Sequence, residues 1–495
     1  PNSSIIGHSY TAALVGYSYS NNQMRNIIIA ADVRGDNYIG GLVGSAYSTT
    51  QIENSFVSGS ISGDRNVAGL VGSLYSPNSS SKSTINQALS TAVITGTGYR
   101  VGGLVGYSNY TDVIHNSYWA KDTSTQVYSA GSSAANSYVG LDLVTLQCAI
   151  AENTDATTGC VSVDGSGEGL DAAMVLYQDW DPAIWDFGTS PNADQQLPGL
   201  KFNGQVYRDG DGDGVLDADD VWPHNRAASQ DLDADGYPDA WSRNCDDACI
   251  QASGLTLDQF PHHNWAALDA DFDGLPDGTE NCVSDCERDG LIKDGALGDY
   301  DNDGILDAVD TDEDNDGIND VDANHNGLID IDSLDKLNAM RFQLQGAGLQ
   351  VTELADVDAS GCPWVIYQGL YQQRCSGYEL TQDLDFDTHA DGQIDSNDAY
   401  WNANDQGIGE GWLPVGTNSS NGRFSAQFNG NGYEIKNLTI NRPARDYIGL
   451  FGAIRDSRIE NLVIAGPNSS IIGQSYTAAL VGYSYSNNQM RNIII

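Results

Sequence analysis

A Gly-Leu-Val-Gly motif recurs towards both ends of this chain, and it constrains the fold more than any other feature. It occurs, with small variations, at 13–16, 41–44, 69–72, 103–106, 449–452 and 479–482. Its closing glycines are 28, 28 and 34 residues apart in the first group and 30 apart in the second. The residues between are mostly strand formers in alternation, and glycine permits tight corners. We therefore predict a parallel β-helix or β-solenoid; the alternative, a β-sandwich, would not need such regular spacing.

An asparagine follows each motif and predicts a ladder of stacked side chains. In most units it stands nine or ten residues after the closing glycine, as Asn26, Asn54, Asn116 and Asn461 do. In the unit of Gly72 we assign it to Asn86, because the insertion at 77–80 lengthens one corner. Asparagines that repeat in every coil can form a hydrogen-bonded ladder along the stack.

The end of the chain repeats its beginning. Residues 467–495 match residues 1–29 at an offset of 466, and only His8 and Gln474 differ. The chain begins and ends inside apolar, strand-like sequence. We read the chain as one period of a longer tandem repeat; the alternative is a duplication within an ordinary protein.

These repeats resemble the GLUG repeats of large bacterial surface and secreted proteins. The likeness extends to Trp412-Leu413-Pro414-Val415-Gly416 and to residues 424–435, which look like the entry into such a solenoid. Residues 180–188 and 197–200 resemble its exit. The resemblance covers roughly 400–495 and 1–207 and implies an architecture, not an activity.

Acidic residues concentrate in the middle of the chain. The net charge is −46, and 36 of the 68 acidic residues lie between Lys201 and Asp335. This balance disfavours nucleic acid and anionic membrane surfaces as partners and implies self-repulsion unless cations neutralise it. The segment is therefore predicted to bind cations.

The spacing D-x-D-x-D-G-x-x-D returns through this segment, with a carboxylate at position twelve in several loops. Alternate side chains of such a curling loop converge on one point, and glycine at position six allows the turn. Calcium accepts six to eight oxygen ligands, whereas magnesium demands a tighter octahedron. The predicted structural Ca²⁺ ligands are Asp209, Asp211, Asp213, Asp217 and Asp220; Asp231, Asp233, Asp235 and Asp239; Asp269, Asp271, Asp273, Asp277 and Glu280; Asp299, Asp301, Asp303, Asp307 and Asp310; Asp312, Asp314, Asp316 and Asp320; Asp322, Asn324, Asn326 and Asp330; and Asp387, Asp391, Asp395 and Asp398.

The acidic segment resembles thrombospondin type 3 calcium repeats. The resemblance implies a chain wrapped around a row of several calcium ions. The cysteines at 245, 249, 282 and 286 do not match the spacing of that family closely.

Eight cysteines form four close pairs: Cys148 with Cys160, Cys245 with Cys249, Cys282 with Cys286, and Cys362 with Cys375. Even numbers in local pairs favour disulfides and an oxidising, extracellular or cell-surface location. Zinc is the alternative, although the neighbouring ligands are hard carboxylates. No apolar run is long enough to span a membrane.

The expected fold is mainly β, a solenoid alternating with a loop-rich calcium-binding stalk. Ser333 can cap one amphipathic helix through Leu344 that covers an open end of the solenoid. The predicted divisions are solenoid coils at 1–118, an exit cap at 119–207, the stalk at 208–332, a helix cap and calcium loop at 333–411, and the next solenoid from 412 to 495.

We expect no catalytic residues, because the acids of the solenoid form no recurring pair of the kind glycosidases use. The predicted role is a structural repeat of a calcium-stabilised extracellular bacterial filament or stalk, whose main partner is further copies of the same repeat. The alternative is an adhesin that binds glycans or a cell-surface partner. The recurring tyrosines, such as Tyr17, Tyr19, Tyr47 and Tyr75, could serve either glycan binding or packing between solenoids.

Overall fold

The computed structural model describes most of the two repeat-containing ends and parts of the middle. The described residues are 3–110, 113–126, 128–132, 140–147, 161–162, 174–177, 179–187, 197–231, 234, 236–242, 245–258, 321–324, 326–350, 357–401, 409–466 and 468–495.

Three parallel sheets form the sides of a β-solenoid, as the motif spacing predicts. The six-stranded sheet contains Val15–Ser20, Val43–Tyr47, Val71–Tyr75, Val105–Ser108, Phe451–Ile454 and Val481–Ser486. The five-stranded sheet contains Ser9–Thr11, Asn37–Gly40, Arg65–Ala68, Val101–Gly102 and Ser475–Thr477. The 17-stranded sheet contains Ser3–Ile6, Gln23–Arg34, Gln51–Ser58, Ser60–Gly63, Thr84–Ser90, Val93–Gly96, Ile114–His115, Tyr118–Trp119, Ile329–Ile331, Gly377–Leu380, Leu384–Asp385, Gln427–Asn429, Glu434–Lys436, Thr439–Asn441, Arg458–Ala465, Ser470–Ile472 and Gln489–Ile494.

The C-terminal coils stack directly against the N-terminal coils. Residues of the two near-identical segments pair with their own counterparts, for example Ile5 with Ile471, Val15 with Val481 and Ile28 with Ile494. The described parts of 412–495 and 1–118 therefore form one continuous stack. At its far end this stack also includes the strand Ile329–Ile331, which pairs with Gly377–Leu380.

The motif leucines fill the interior, and the motif glycines allow neighbouring coils to approach. Leu14 and Leu42 are fully buried. A Cβ on Gly44 would lie 2.5 Å from the carbonyl oxygen of Gly16. The closing glycines of the motif lie within strands, where their role is close approach, whereas its opening glycines, such as Gly41, lie in the bend between two strands, where the sequence predicts tight corners. Asparagine and tyrosine occupy the left-handed positions, with φ of 56° at both Tyr10 and Asn26.

The predicted asparagine ladder is confirmed for Asn26, Asn54 and Asn461, but among the described residues none of its hydrogen bonds reaches Asn116. Each member donates a hydrogen bond from Nδ2 to Oδ1 of the next, over 2.8–3.2 Å, in the order Asn54, Asn26, Asn492, Asn461 and Asn429. The assignment of Asn86 to this ladder is wrong. Asn86 pairs with Glu53, so the next residue, Gln87, occupies the left-handed corner position with φ of 53°. The insertion in that unit shifts the register by one residue more than expected.

Outward-facing tyrosines form two further ladders. One stacks Tyr447, Tyr476, Tyr10 and Tyr38 with ring centroids 4.7–4.9 Å apart. The other stacks Tyr485, Tyr19, Tyr47 and Tyr75 at 5.3–5.4 Å. Because each inner ring lies between two others, the faces of these rings are largely covered.

An apolar column on the outside of the 17-stranded sheet is covered by the following segment. Ile28, Phe56 and Leu89 occupy one register position of successive coils. They pack in one buried cluster with Trp180 and Trp185. The strands Trp185–Asp186, Gly199–Phe202 and Gln205–Tyr207 form a small antiparallel sheet here.

Short helices lie outside the sheets. They are Lys121–Ser124, Leu143–Leu146, Asp247–Ser253 and Leu334–Ala339, and the last continues as the 3-10 helix Met340–Phe342. Ser333 caps Leu334–Ala339, as predicted, by accepting a hydrogen bond from the Lys336 amide at 3.3 Å. The α-helix is shorter than the expected segment, which ran to Leu344. Two antiparallel pairs complete the described elements: Val161–Ser162 with Met174–Val175, and Trp364–Tyr367 with Leu370–Gln373.

Candidate metal centres

The first acidic loop brings three predicted ligands together. One carboxylate oxygen each from Asp209, Asp211 and Asp213 lies within 4.8 Å of the other two. The loop is held by its own backbone, because the Gly214 amide donates to Asp209 Oδ2 at 3.0 Å and the Val215 amide to Asp213 Oδ1 at 2.8 Å. Alternate side chains thus converge as the spacing predicts.

The same loop is buried against the segment that covers the solenoid. Asp209 and Asp211 are almost fully buried, and a Cβ on Gly212 would lie 3.4–3.5 Å from the side chains of Leu143 and Leu197. Ser242 donates to Asp213 Oδ2 at 2.7 Å. This part of the predicted stalk therefore packs on the body of the molecule.

Crowded acids in this loop favour their protonated forms. Burial, with the nearby charges of Asp213 and Asp220, raises the pKa of Asp211 to about 8. Burial and Asp213 likewise raise the pKa of Asp220 to about 8. Asp211 is 4% exposed, and its Oδ2 has no hydrogen-bond partner. A buried oxygen without a donor, next to two further carboxylates, is what a bound cation would satisfy.

The two remaining predicted ligands of this loop accept hydrogen bonds from its backbone. Asp217 Oδ1 accepts from the Gly210 amide at 2.6 Å, and Asp220 Oδ1 accepts from the Trp222 amide at 2.8 Å. Each keeps a second carboxylate oxygen. The five acids together resemble the oxygen-rich donor set that calcium prefers.

A second candidate loop runs from Asp322 to Asp330 beside the solenoid. The Gly327 amide donates to Asp322 Oδ2 at 2.8 Å, which repeats the bond from Gly214 to Asp209. Asn324 and Asn326 both donate from Nδ2 to Glu379 Oε1, at 2.7 and 2.6 Å. Glu379 could not be predicted from the spacing of acidic residues, because it lies about fifty residues after this loop, in a strand that carries no loop motif.

The loop of Asp387 has the same backbone geometry but is more exposed. The Gly392 amide donates to Asp387 Oδ2 at 2.9 Å, and Asp398 accepts from the amides of His389 and Asp395. Asp391 is exposed and Asp398 is buried.

The other predicted ligands are described only in part. In the loop of Asp231, the Gly236 amide donates to Asp231 Oδ2 at 2.8 Å, and Asp239 is described, whereas Asp233 and Asp235 lie outside the described residues. The predicted ligands from Asp269 to Asp320 also lie outside them.

Two of the four predicted disulfides are formed in the structure. Cys245 bonds Cys249, and Cys362 bonds Cys375. The pairs Cys148–Cys160 and Cys282–Cys286 lie outside the described residues.

The second disulfide closes an exposed apolar hairpin that sequence reasoning missed. Trp364 is 57% exposed and Ile366 77%, and Leu370 and Tyr371 are similarly open. The only local signal is the run of large apolar residues at 364–367 and the pair at 370–371, between Cys362 and Cys375.

The fold and these sites define a β-solenoid repeat protein with acidic loops at its side and end. Comparison with known families agrees: the model of the GLUG motif matches residues 35–62, which is one coil.

Two relatives share parts of the sequence. A protein described by name as a Gly-rich membrane protein, from Evansella cellulosilytica, is 35% identical over 112 residues, which is 22% of this chain and 11% of the relative. Halomucin of Haloquadratum walsbyi is 32% identical over 117 residues, which is 23% of this chain and 1% of the relative. The chain thus spans only a small part of either relative. No solved structure matches. Among the described residues, no helix is long and apolar enough to cross a membrane.

Proposed function

We propose that this chain is a structural repeat of an extracellular or cell-surface protein, in which the solenoid acts as a stiff rod. The observation that carries the proposal is the in-register stacking of near-identical coils, with Asn26 bonded to Asn492 across the two copies. Each such coil lengthens the rod by roughly 4.8 Å. The two disulfides support an oxidising location.

Calcium is proposed to be a structural component of this rod. The converging side chains of Asp209, Asp211 and Asp213 support the proposal, and so does the buried Oδ2 of Asp211, which has no donor. The loop also packs on residues that cover the solenoid, so an ion bound there would stiffen that covering segment. The resemblance to thrombospondin type 3 repeats points the same way for the rest of the acidic segment.

The proposal is tested by negative-stain electron microscopy and small-angle scattering of the full chain in non-reducing buffer. We expect elongated particles in calcium, with a larger radius of gyration after EGTA as the acidic segment loosens. Asp211→Asn should weaken this response. Asp219→Asn is the matched control, because Asp219 is exposed in the same loop and lies outside the predicted ligand set. Compact particles in both conditions would contradict the rod, and an unchanged profile after EGTA would contradict the calcium role.

A second candidate function is adhesion, which the hairpin between Cys362 and Cys375 favours. Exposed Trp364 and Tyr371 stack on each other with ring centroids 5.1 Å apart. The tyrosine ladders are less suited to stacking on sugars, because neighbouring rings cover their faces. A glycan array with the wild type and with Trp364→Ser tests this function. Binding that the substitution abolishes would support adhesion, and an array without hits would argue against glycan recognition.

A further inference from the structure

We propose that Glu379, on a strand of the solenoid, completes a cation site with the loop Asp322–Asp330, so that one bound ion ties the acidic segment to the end of the rod. This inference rests on the proposed role of calcium and names the site through which the ion would act on the solenoid. Glu379 lies outside the acidic motifs and cannot be assigned from their spacing.

The first argument is the register of two strands. In the parallel pair of Ile329–Ile331 with Gly377–Leu380, Asp330 and Glu379 are direct partners. Two like charges at paired positions of neighbouring strands destabilise a sheet unless something lies between them. Both residues are buried, with Glu379 2% exposed and Asp330 7% exposed. The ion pairs found among the described residues include neither of them.

The second argument is an oxygen without a donor. Asp330 Oδ2 accepts from the Ala323 amide at 3.0 Å, but Asp330 Oδ1 is buried and has no hydrogen-bond partner. The nearby Lys336 ammonium is hydrogen-bonded at 2.9 Å to Asp332. A cation is therefore the missing group at this position.

The third argument is the closure of the loop. In loops of this spacing the twelfth position supplies a carboxylate, as Asp220 and Asp398 do for their own loops. Counted from Asp322, the twelfth residue is Ser333, whose hydroxyl is used to cap a helix. Glu379 is the carboxylate that contacts this loop in its place: its Oε1 accepts from Asn324 and Asn326, and its Oε2 accepts from Asn431 at 2.8 Å.

The donor set fits calcium. Asp322, Asp330 and Glu379 offer carboxylate oxygens, and Asn324 and Asn326 offer amide oxygens once a bound ion replaces their Nδ2 bonds to Glu379 and the two amides rotate. All are hard ligands, and more than four are available, which calcium accommodates. Because Glu379 belongs to the solenoid and the other four to the loop, the ion would join two parts of the chain that are far apart in sequence.

The test counts calcium sites in the full chain after removal of metal with EDTA and dialysis. Titration against a chromophoric chelator should show one site fewer in Glu379→Gln than in the wild type. Asp211→Asn should lose a different site, and the double variant should lose both. Hydrogen exchange of the amides in Ile329–Ile331 and Gly377–Leu380 should slow on calcium addition in the wild type and in Asp211→Asn, but not in Glu379→Gln.

A simple folding defect gives a different result. Glu379→Gln removes the like charge beside Asp330 but also turns an amide nitrogen towards the amide donors of Asn324 and Asn326 or of Asn431, so the comparison is made between calcium and EDTA within each protein and not between melting temperatures. A folding defect speeds exchange in these strands under both conditions, whereas loss of the site removes only the slowing that calcium causes in the wild type. A variant that keeps the wild-type number of sites and the wild-type exchange response would overturn the assignment of Glu379 but leave the calcium role intact. A wild type that binds no calcium would contradict both.

Discussion

Asn26 donates a hydrogen bond from Nδ2 to Oδ1 of Asn492 at 2.9 Å, although the two residues are 466 positions apart and occupy the same place in near-identical segments. Asn26 also accepts from Asn54 at 3.2 Å, so it is an inner member of the ladder. Both its side-chain hydrogen bonds run along the stack. The side chain therefore links coils and contributes little within its own coil.

Two substitutions of Asn26 should distinguish the stability contributed by the ladder hydrogen bonds from the cost of the left-handed backbone conformation. Asn26→Gly keeps the left-handed conformation easy and removes the side-chain bonds, so we expect a loss of about 1–2 kcal/mol in the free energy of unfolding. Asn26→Ala should lose about 1 kcal/mol more, since its Cβ disfavours this φ. Urea unfolding followed by circular dichroism measures both. Equal stabilities for the two variants would show that the bend imposes no strain.

Gly44→Ala should destabilise the stack because its new methyl group would meet the Gly16 carbonyl of the next coil. We expect a cost of about 1–3 kcal/mol, typical of overpacking in a well-filled interior. Gly204→Ala is a comparison for backbone strain without a clash, because Gly204 has a left-handed φ of 78° and open space around it, whereas Gly44 has no positive φ. A melting temperature for Gly44→Ala equal to that of the wild type would contradict the proposed close approach of coils.

Calcium removal should act through the first acidic loop. We expect EGTA to lower the melting temperature of the wild type and to have a smaller effect on Asp211→Asn, because that variant has lost one ligand. Asp219→Asn should respond like the wild type. Differential scanning calorimetry at fixed ionic strength checks this, with magnesium in place of calcium as a further control. Identical responses of all three proteins would remove Asp211 from the site.

Without calcium, stability should fall as pH rises from about 4 to about 8. The folded-state pKa values of Asp211 and Asp220, each about 8, lie above the value of about 3.9 for an unfolded aspartate. Their protonated forms stabilise the fold fully below the unfolded value, and this contribution is lost as pH rises through about 8. Stabilisation by added calcium should grow over the same range, because protons and calcium compete for the same oxygens.

The measurement is the urea midpoint of the wild type in EDTA at several pH values, compared with Asp211→Asn. The variant should show a weaker pH dependence because its amide does not titrate. A wild-type midpoint that rises steadily from pH 4 to 8, in parallel with the variant, would contradict raised pKa values in this loop.

The solenoid could be predicted from sequence because each coil repeats the same signals, namely the buried leucine, the close glycine and the corner asparagine. The error at Asn86 arose where an insertion broke this regularity, since only pairing with Glu53 reveals that Gln87 holds the corner. The convergence of Asp209, Asp211 and Asp213 followed from local spacing. Glu379 could not be found in this way, because its relation to Asp330 depends on which strands become neighbours.

The paired identical segments have a consequence for how such a protein can change in length. The coil at 470–494 stacks on the coil at 3–30, which in turn stacks on the coil at 31–58. The first two coils are nearly identical, so each presents nearly the same surface to the coil that follows it. A whole coil could therefore be gained or lost by recombination without creating a new kind of contact. Selection on such a protein can therefore adjust the length of the solenoid in steps of one coil, while the contacts between neighbouring coils stay the same.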